Sequence, residues 1–301
     1  MRRPVASCVA VLVLVAGCGA DDGGSSSDRS DPGATVSGAG DAAPAEAVTY
    51  VAMGDSYTSA PGVGETVDAG CFRSSSNYPS LVAADLGLAL TDVSCGGATT
   101  TSLVGVQETP SGAVPPQFAA LTPETDVVTL SIGGNDEDLF PELLGTCVAV
   151  RDQDPDGAPC RKVFDANGSD RAVEIIELVE HRVASALAGI RDRAPGAQVV
   201  LIGYPQLAPA DGECDLLPLT PADYDYVHGL MAALGTATRS AASEAGVRYV
   251  DVLAASEGHD ICAGADAWVN GVGGSDQAMA MHPFAAEQRA VADLVVEALG
   301  G

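Results

Sequence analysis

The amino-acid sequence predicts an α/β fold, a parallel sheet carrying helices on both faces. Short apolar runs of strand length, 47–53, 91–95, 126–132, 197–203 and 247–252, alternate with stretches of helical period at 77–87, 171–193, 221–245 and 284–299. Strands joined through helices pair in parallel by right-handed crossovers. Glycine-bearing polar clusters follow three of these runs, and ligands of such sheets sit at the carboxyl ends of the strands.

In chain order, residues 1–17 read as a lipoprotein signal peptide. Arg2 and Arg3 open it, Val9 to Ala16 is apolar, and Val15-Ala16-Gly17-Cys18 forms a lipobox. The apolar run is too short to span a bilayer, so Cys18 is the expected lipidation site. Residues 18–45 are rich in Gly, Ser, Asp and Ala, which marks a disordered tether. Residues 46–301 are then a single domain, long enough for one sizeable core.

The first strand runs into Gly54-Asp55-Ser56-Tyr57. A rigid strand ending in glycine and an acid–serine pair is a good mount for a nucleophile, because the backbone can turn sharply and expose the hydroxyl. The helix at 77–87 starts at Asn77, with Pro79 in its first turn. Gly96-Gly97 follows the second strand and can present a bare backbone N–H, and Gly133-Gly134-Asn135-Asp136 follows the third, where the Asn135 amide can donate to a developing oxyanion. In 171–193, Val173, Ile176, Val183, Leu187 and Ile190 are expected on one buried face. His282, just before the last helix, has the intrinsic basicity to accept a serine proton.

Cysteine usage fits export. With Cys8 in the signal segment and Cys18 lipidated, six remain, an even set for an oxidising compartment. Several connectivities are open to six cysteines. Sequential pairing, Cys71–Cys95, Cys147–Cys160 and Cys214–Cys262, is preferred because each pair closes a loop between neighbouring elements. No metal site is expected, since the sequence holds no Cys-x-x-Cys and no paired histidines. Asp152, Asp154 and Asp156 imitate the start of a calcium loop, but Val163 stands where a bidentate glutamate is needed, so they read as an acidic surface loop. The net charge of −27 becomes −29 once Arg2 and Arg3 are lost, which disfavours nucleic acid and anionic membrane as partners.

With Ser56, Gly97, Asn135 and His282 in this order, the chain resembles the SGNH hydrolases, the GDS(L) esterase and lipase family. It is most similar to the secreted actinobacterial branch, through Cys71-Phe72-Arg73-Ser74, Asn77-Tyr78-Pro79, Gly258-His259-Asp260 and Trp268-Val269. The resemblance implies a flavodoxin-like three-layer fold with a five-stranded parallel sheet, three disulfides between sequential cysteines, and no metal or organic cofactor. It implies Ser56 as nucleophile, His282 as base, and an oxyanion hole from the Ser56 and Gly97 N–H groups and the Asn135 amide. Asp55 and Asp136 are expected to support their loops, and His259 to be structural.

One position departs from the family. Its helper aspartate lies three residues before the histidine, where this chain has Met279. An unsupported imidazole is poorly oriented. The backbone carbonyl of Met279 is the expected substitute acceptor, with Asp276 the competing one. The expected function is an exported, membrane-tethered serine esterase or lipase, acting as a monomer on a small ester or lipid. Leu139, Phe140, Leu143, Leu216 and Leu217 are expected to wall its acyl site. Two alternatives stand beside it: a carbohydrate acetyl esterase, for which a lone tryptophan (Trp268) offers little sugar stacking, and a catalytically silent binding lipoprotein.

Overall fold

A computed structural model of the chain describes residues 47–165 and 168–300. The signal segment 1–17, Cys18 and the tether 18–45 lie outside these residues. Five strands, β1 (Thr49–Gly54), β2 (Ala89–Asp92), β3 (Val127–Ser131), β4 (Gln198–Ile202) and β5 (Arg248–Val250), form one sheet in the order β2-β1-β3-β4-β5. All neighbours run parallel. The chain moves from β1 to β2 on one side and returns to β3 on the other, so the strand order reverses at β1. The crevice above the β1 and β3 carboxyl ends is the ligand position of such a sheet.

Central strands buried on both faces need apolar residues at every position, and β1 and β3 supply them with few exceptions. Val51 and Met53 face one core with Val128, Leu130 and Leu201. Tyr50 and Ala52 face the other with Val127, Val200 and Ile202. Helices α5 (Arg171–Arg193) and α6 (Pro221–Ala245) cover the first face, and α2 (Tyr78–Leu86) and α8 (Ala285–Leu299) the second, with the single turn α7 (Val252–Ala255) just after β5. This is the three-layer α/β fold that the sequence predicts. Caps set the helix starts: Asn77 accepts from Ser80 N–H, Asp170 from Ala172 N–H, and Thr220 from Asp223 N–H ahead of Pro221.

The differences from expectation are local. β2 begins at Ala89 rather than 91, and its regular pairing stops at Asp92, whose carboxylate turns to accept the Ser94 N–H at 2.9 Å. Val93 and Cys95 still donate to the Ala52 and Gly54 carbonyls. In α5 the buried stripe is Ala172, Ile175, Ile176, Val179, Val183, Ala186, Leu187 and Ile190. Val173 lies at the edge of that stripe and is 38% exposed. The stretch after β3 folds into helices α3 (Leu139–Val150) and α4 (Pro159–Phe164), joined by the Cys147–Cys160 bridge. Cys71–Cys95 and Cys214–Cys262 complete the sequential pairing, and disulfides fit an exported protein. Among the described residues no helix is long and apolar enough to cross a membrane, and no group of three or more His, Cys, Asp or Glu is placed to hold a metal ion.

Candidate active site

β1 delivers Ser56 through a turn that only glycine can make. Gly54 has φ +152°, and a Cβ there would lie 2.2 Å from Thr58 Oγ1 and 2.6 Å from the Ser131 carbonyl oxygen. The buried Gln117 amide grips Gly54 at both ends, accepting its N–H at 2.8 Å and donating to its carbonyl at 2.9 Å. Ser56 then opens α1 (Ser56–Ser59), a four-residue helix capped by Asp55, which accepts the Tyr57 N–H at 2.9 Å. As the first helical residue, Ser56 has an N–H without a helical acceptor. Its residue is 9% exposed, at the boundary between core and solvent.

Two loops carry further donors. Gly97, at φ +72°, is exposed beyond β2 and its N–H takes no part in the turn closed by Ala98 N–H on the Cys95 carbonyl. Asn135, beyond β3, donates from Nδ2 to the Ala98 carbonyl at 3.0 Å, which ties the two loops together and leaves its second amide proton uncommitted. Asp136 is buried beneath them. Its oxygens accept from Thr100 N–H at 2.8 Å, from the Thr100 hydroxyl at 2.5 Å and from Arg182 at 3.2 Å. Asp136 therefore fastens the β2 loop, the β3 loop and α5 into one unit.

His282 sits in the turn ahead of α8. Its Nδ1 lies 2.7 Å from the carbonyl oxygen of Ala280, so the acceptor is not Met279. The Met279 carbonyl receives the His282 backbone N–H at 3.2 Å instead. The reason is Met281: at φ +62° it folds the chain back so that the carbonyl two residues upstream meets the ring. Asp276 is exposed and lines a cleft of about 690 Å³ with Gly62, Gln277 and Phe284. None of the residues lining that cleft is Ser56, Asn135 or His282. Burial holds the His282 imidazole below its ordinary value, against a smaller opposing effect of the Ala280 carbonyl. The ring is therefore neutral at pH 7.

Other expectations separate cleanly. His259 is stacked on Trp268, with ring centroids 4.6 Å apart, and its Nδ1 faces the Asp266 carbonyl at 2.7 Å. Leu139, Phe140, Leu143 and Leu217 are buried in the core, whereas Leu216 is 51% exposed. Leu139, Phe140 and Leu143 turn inward because one face of α3 joins the main core, and Leu217, ahead of α6, is buried in the same core. Phe140 in particular packs on Tyr57 and Tyr204, at 6.0 and 5.0 Å between centroids.

Tyr204 and Gln117 have no sequence signal of their own. The Tyr204 hydroxyl donates to Asp55 Oδ2 and accepts the Gly134 N–H at 2.9 Å, so it joins the Ser56 turn to the Asn135 loop. Burial pushes the Asp55 carboxyl up to about 7, against the Tyr204 hydroxyl and the Tyr57 N–H, which favour the carboxylate. These contacts span 149 and 63 residues of sequence.

The sequence profile of the GDSL-like lipase/acylhydrolase family matches residues 52–290. The chain is 39% identical to a protein named Lipase 2 of Streptomyces coelicolor, over 86% of this chain and 89% of that one. It is 34% identical to a Streptomyces scabiei esterase, over 78% of each chain. Among solved structures, phospholipase A1 from Streptomyces albidoflavus superposes with a TM-score of 0.69 at 31% identity, covering 85% of this chain and all of the other. An extracellular lipase from Streptomyces rimosus superposes with a TM-score of 0.65 at 26% identity, covering 84% of this chain and all of that one.

Proposed function

Because the chain belongs to the GDSL-like lipase/acylhydrolase family and is a carboxylic ester hydrolase, we propose that Ser56 and His282 form its catalytic dyad. The carrying observation is the Ala280 carbonyl at 2.7 Å from His282 Nδ1. A carbonyl only accepts, so Nδ1 bears the proton and Nε2 keeps its lone pair. Nε2 takes the Ser56 proton as Oγ attacks the ester carbon. The tetrahedral oxyanion is held by the Ser56 and Gly97 N–H groups and the free Asn135 amide proton. His282 returns the proton to the leaving alkoxide. Water then repeats the sequence on the acyl-enzyme and releases the acid. The neutral acceptor stabilises the imidazolium less than a carboxylate does, and the cost falls on the charged state alone.

The proposed substrates are acyl esters with an apolar chain, lipids among them. Two relatives carry the names lipase and phospholipase A1. Stacking on His259 occupies a face of Trp268, the single tryptophan, which leaves little aromatic surface for a sugar. Cleavage before Cys18, lipidation there and the 18–45 tether would hold the enzyme at the outer face of the membrane. The test is hydrolysis of p-nitrophenyl acetate, butyrate and octanoate by the purified protein beside Ser56→Ala. Turnover that rises with chain length and falls at least about 10³-fold in the variant supports the reading. Activity on acetate alone favours the deacetylase, and wild-type-like rates in Ser56→Ala sink the assignment of Ser56.

A further inference from the structure

We infer that Tyr57 is the positioning residue for His282, doing through the backbone what a carboxylate partner would do through the ring. The inference rests on the dyad proposed above. Among the described residues the imidazole has no acidic partner; its one ring contact through hydrogen bonding is the Ala280 carbonyl. That contact depends on Met281 lying in the left-handed region at φ +62°, a conformation that residues other than glycine rarely adopt. Something must hold the turn there.

Tyr57 is placed to do so. Its hydroxyl donates to the Met281 carbonyl at 2.9 Å, across 224 residues of sequence. Its ring lies beside the imidazole, with centroids 5.8 Å apart and planes inclined by 30°. Tyr57 is itself immobilised. Tyr204 stands edge-on to it at 5.2 Å, and the Tyr57 carbonyl accepts from the Gln288 amide at 3.0 Å. Its own N–H is the one that Asp55 caps. Tyr57, adjacent in sequence to Ser56, thus carries a side-chain link from the α1 turn to the peptide that precedes His282. Of the other bonds of that turn, Asn270 N–H to the His282 carbonyl and Met281 N–H to the Gly271 carbonyl anchor it to the neighbouring loop, and Met279 N–H to the Pro61 carbonyl at 3.0 Å ties its start to the chain beyond α1; the Tyr57 hydroxyl is the contact made to the Met281 carbonyl itself.

The buried acids that flank Tyr57 are Asp55 and Glu287, and neither figures among the influences on His282, which are burial and the Ala280 carbonyl. Releasing the turn therefore changes the imidazole by hydrating it, and its proton affinity rises toward the ordinary histidine value.

Tyr57→Phe removes the hydroxyl and keeps the ring. Two readouts test the inference, one without turnover. In ¹⁵N-histidine NMR titration, with His282 identified by its loss in His282→Asn, the His282 midpoint is expected to move up in Tyr57→Phe. In kinetics, kcat is expected to fall about 10- to 100-fold, as for a modest misplacement of a catalytic group. KM should stay within about twofold, and the acid limb of kcat/KM should shift to higher pH. A His282 midpoint that does not move overturns the inference, even if the variant is less stable. So does a wild-type kcat. Wild-type protein inactive on all esters, yet with the shifted midpoint, would overturn the dyad while leaving the positioning role standing.

Discussion

At the residue scale, the arrangement distinguishes groups that meet the reacting atoms from groups that only hold them. Asn135 uses one amide proton to grip Ala98 and has the other free. Asn135→Ala should lower kcat about 10²–10³-fold with little change in KM, the usual cost of one oxyanion donor, read from steady-state kinetics on the butyrate ester. Asp276→Ala should leave kcat within about twofold, because its carboxylate lines a separate cleft. Loss of activity in the folded Asp276 variant would make that residue the missing acid after all. His282 lies below the ordinary imidazole value. The acid limb of kcat/KM should therefore fall on the acidic side of the ordinary histidine value. The proposed site residues could be picked from the sequence because each sits in a short local motif, Ser56, Gly97 and Asn135 beyond strand ends and His282 just ahead of α8. Tyr57, Gln117 and Tyr204 could not, since their partners lie 224, 63 and 149 residues away and no local pattern encodes such a meeting.

At the element scale, the glycines of the two turns do different jobs, and substitution separates them. Gly54→Ala drives a methyl into the Ser131 carbonyl, which belongs to the neighbouring strand and cannot yield. A cost above about 3 kcal/mol is expected, the range of severe core mutations, read as loss of soluble folded protein. Gly97 also has a positive φ, +72°, in the left-handed region, but nothing lies within 4 Å of a would-be Cβ. Gly97→Ala should therefore cost only the left-handed strain, about 1–2 kcal/mol in urea denaturation, and keep its N–H in the oxyanion hole. The long helices α5 and α6 were legible with their ends, 171–193 and 221–245, because capping residues and a helical period coincide there. Helix α3 was hidden. It is entered through Glu137 and Asp138, both at positive φ (50° and 60°), and no side chain caps it. Two non-glycine residues in that conformation give a sequence reader no start signal.

At the scale of the whole molecule, 41 acidic against 14 basic side chains make a self-repelling surface, yet the acids that govern pH dependence are those buried in the core. Glu287, in the first turn of α8, is one. Burial pushes its carboxyl up to about 8, and only the Gln288 amide, at 2.7 Å, favours the charged form. Asp55, at about 7, is another. A carboxyl raised in the folded state above its unfolded value contributes stability that is complete below the unfolded value and is lost as pH rises through the folded one. Glu287 therefore withdraws stability between about pH 4.5 and 8, and Asp55 between about 3.8 and 7. His282, held below its ordinary value, works in the opposite sense and withdraws stability as the pH falls below about 6.5. Glu287→Gln keeps the shape and the partner of the neutral acid while abolishing its ionisation. The variant should match the wild type in urea denaturation at pH 4. It should then gain steadily with pH, reaching an advantage on the order of a few kcal/mol at pH 9. A constant difference at all pH values would mean that Glu287 is already ionised in the folded protein, with a counter-charge or hydration that offsets its burial.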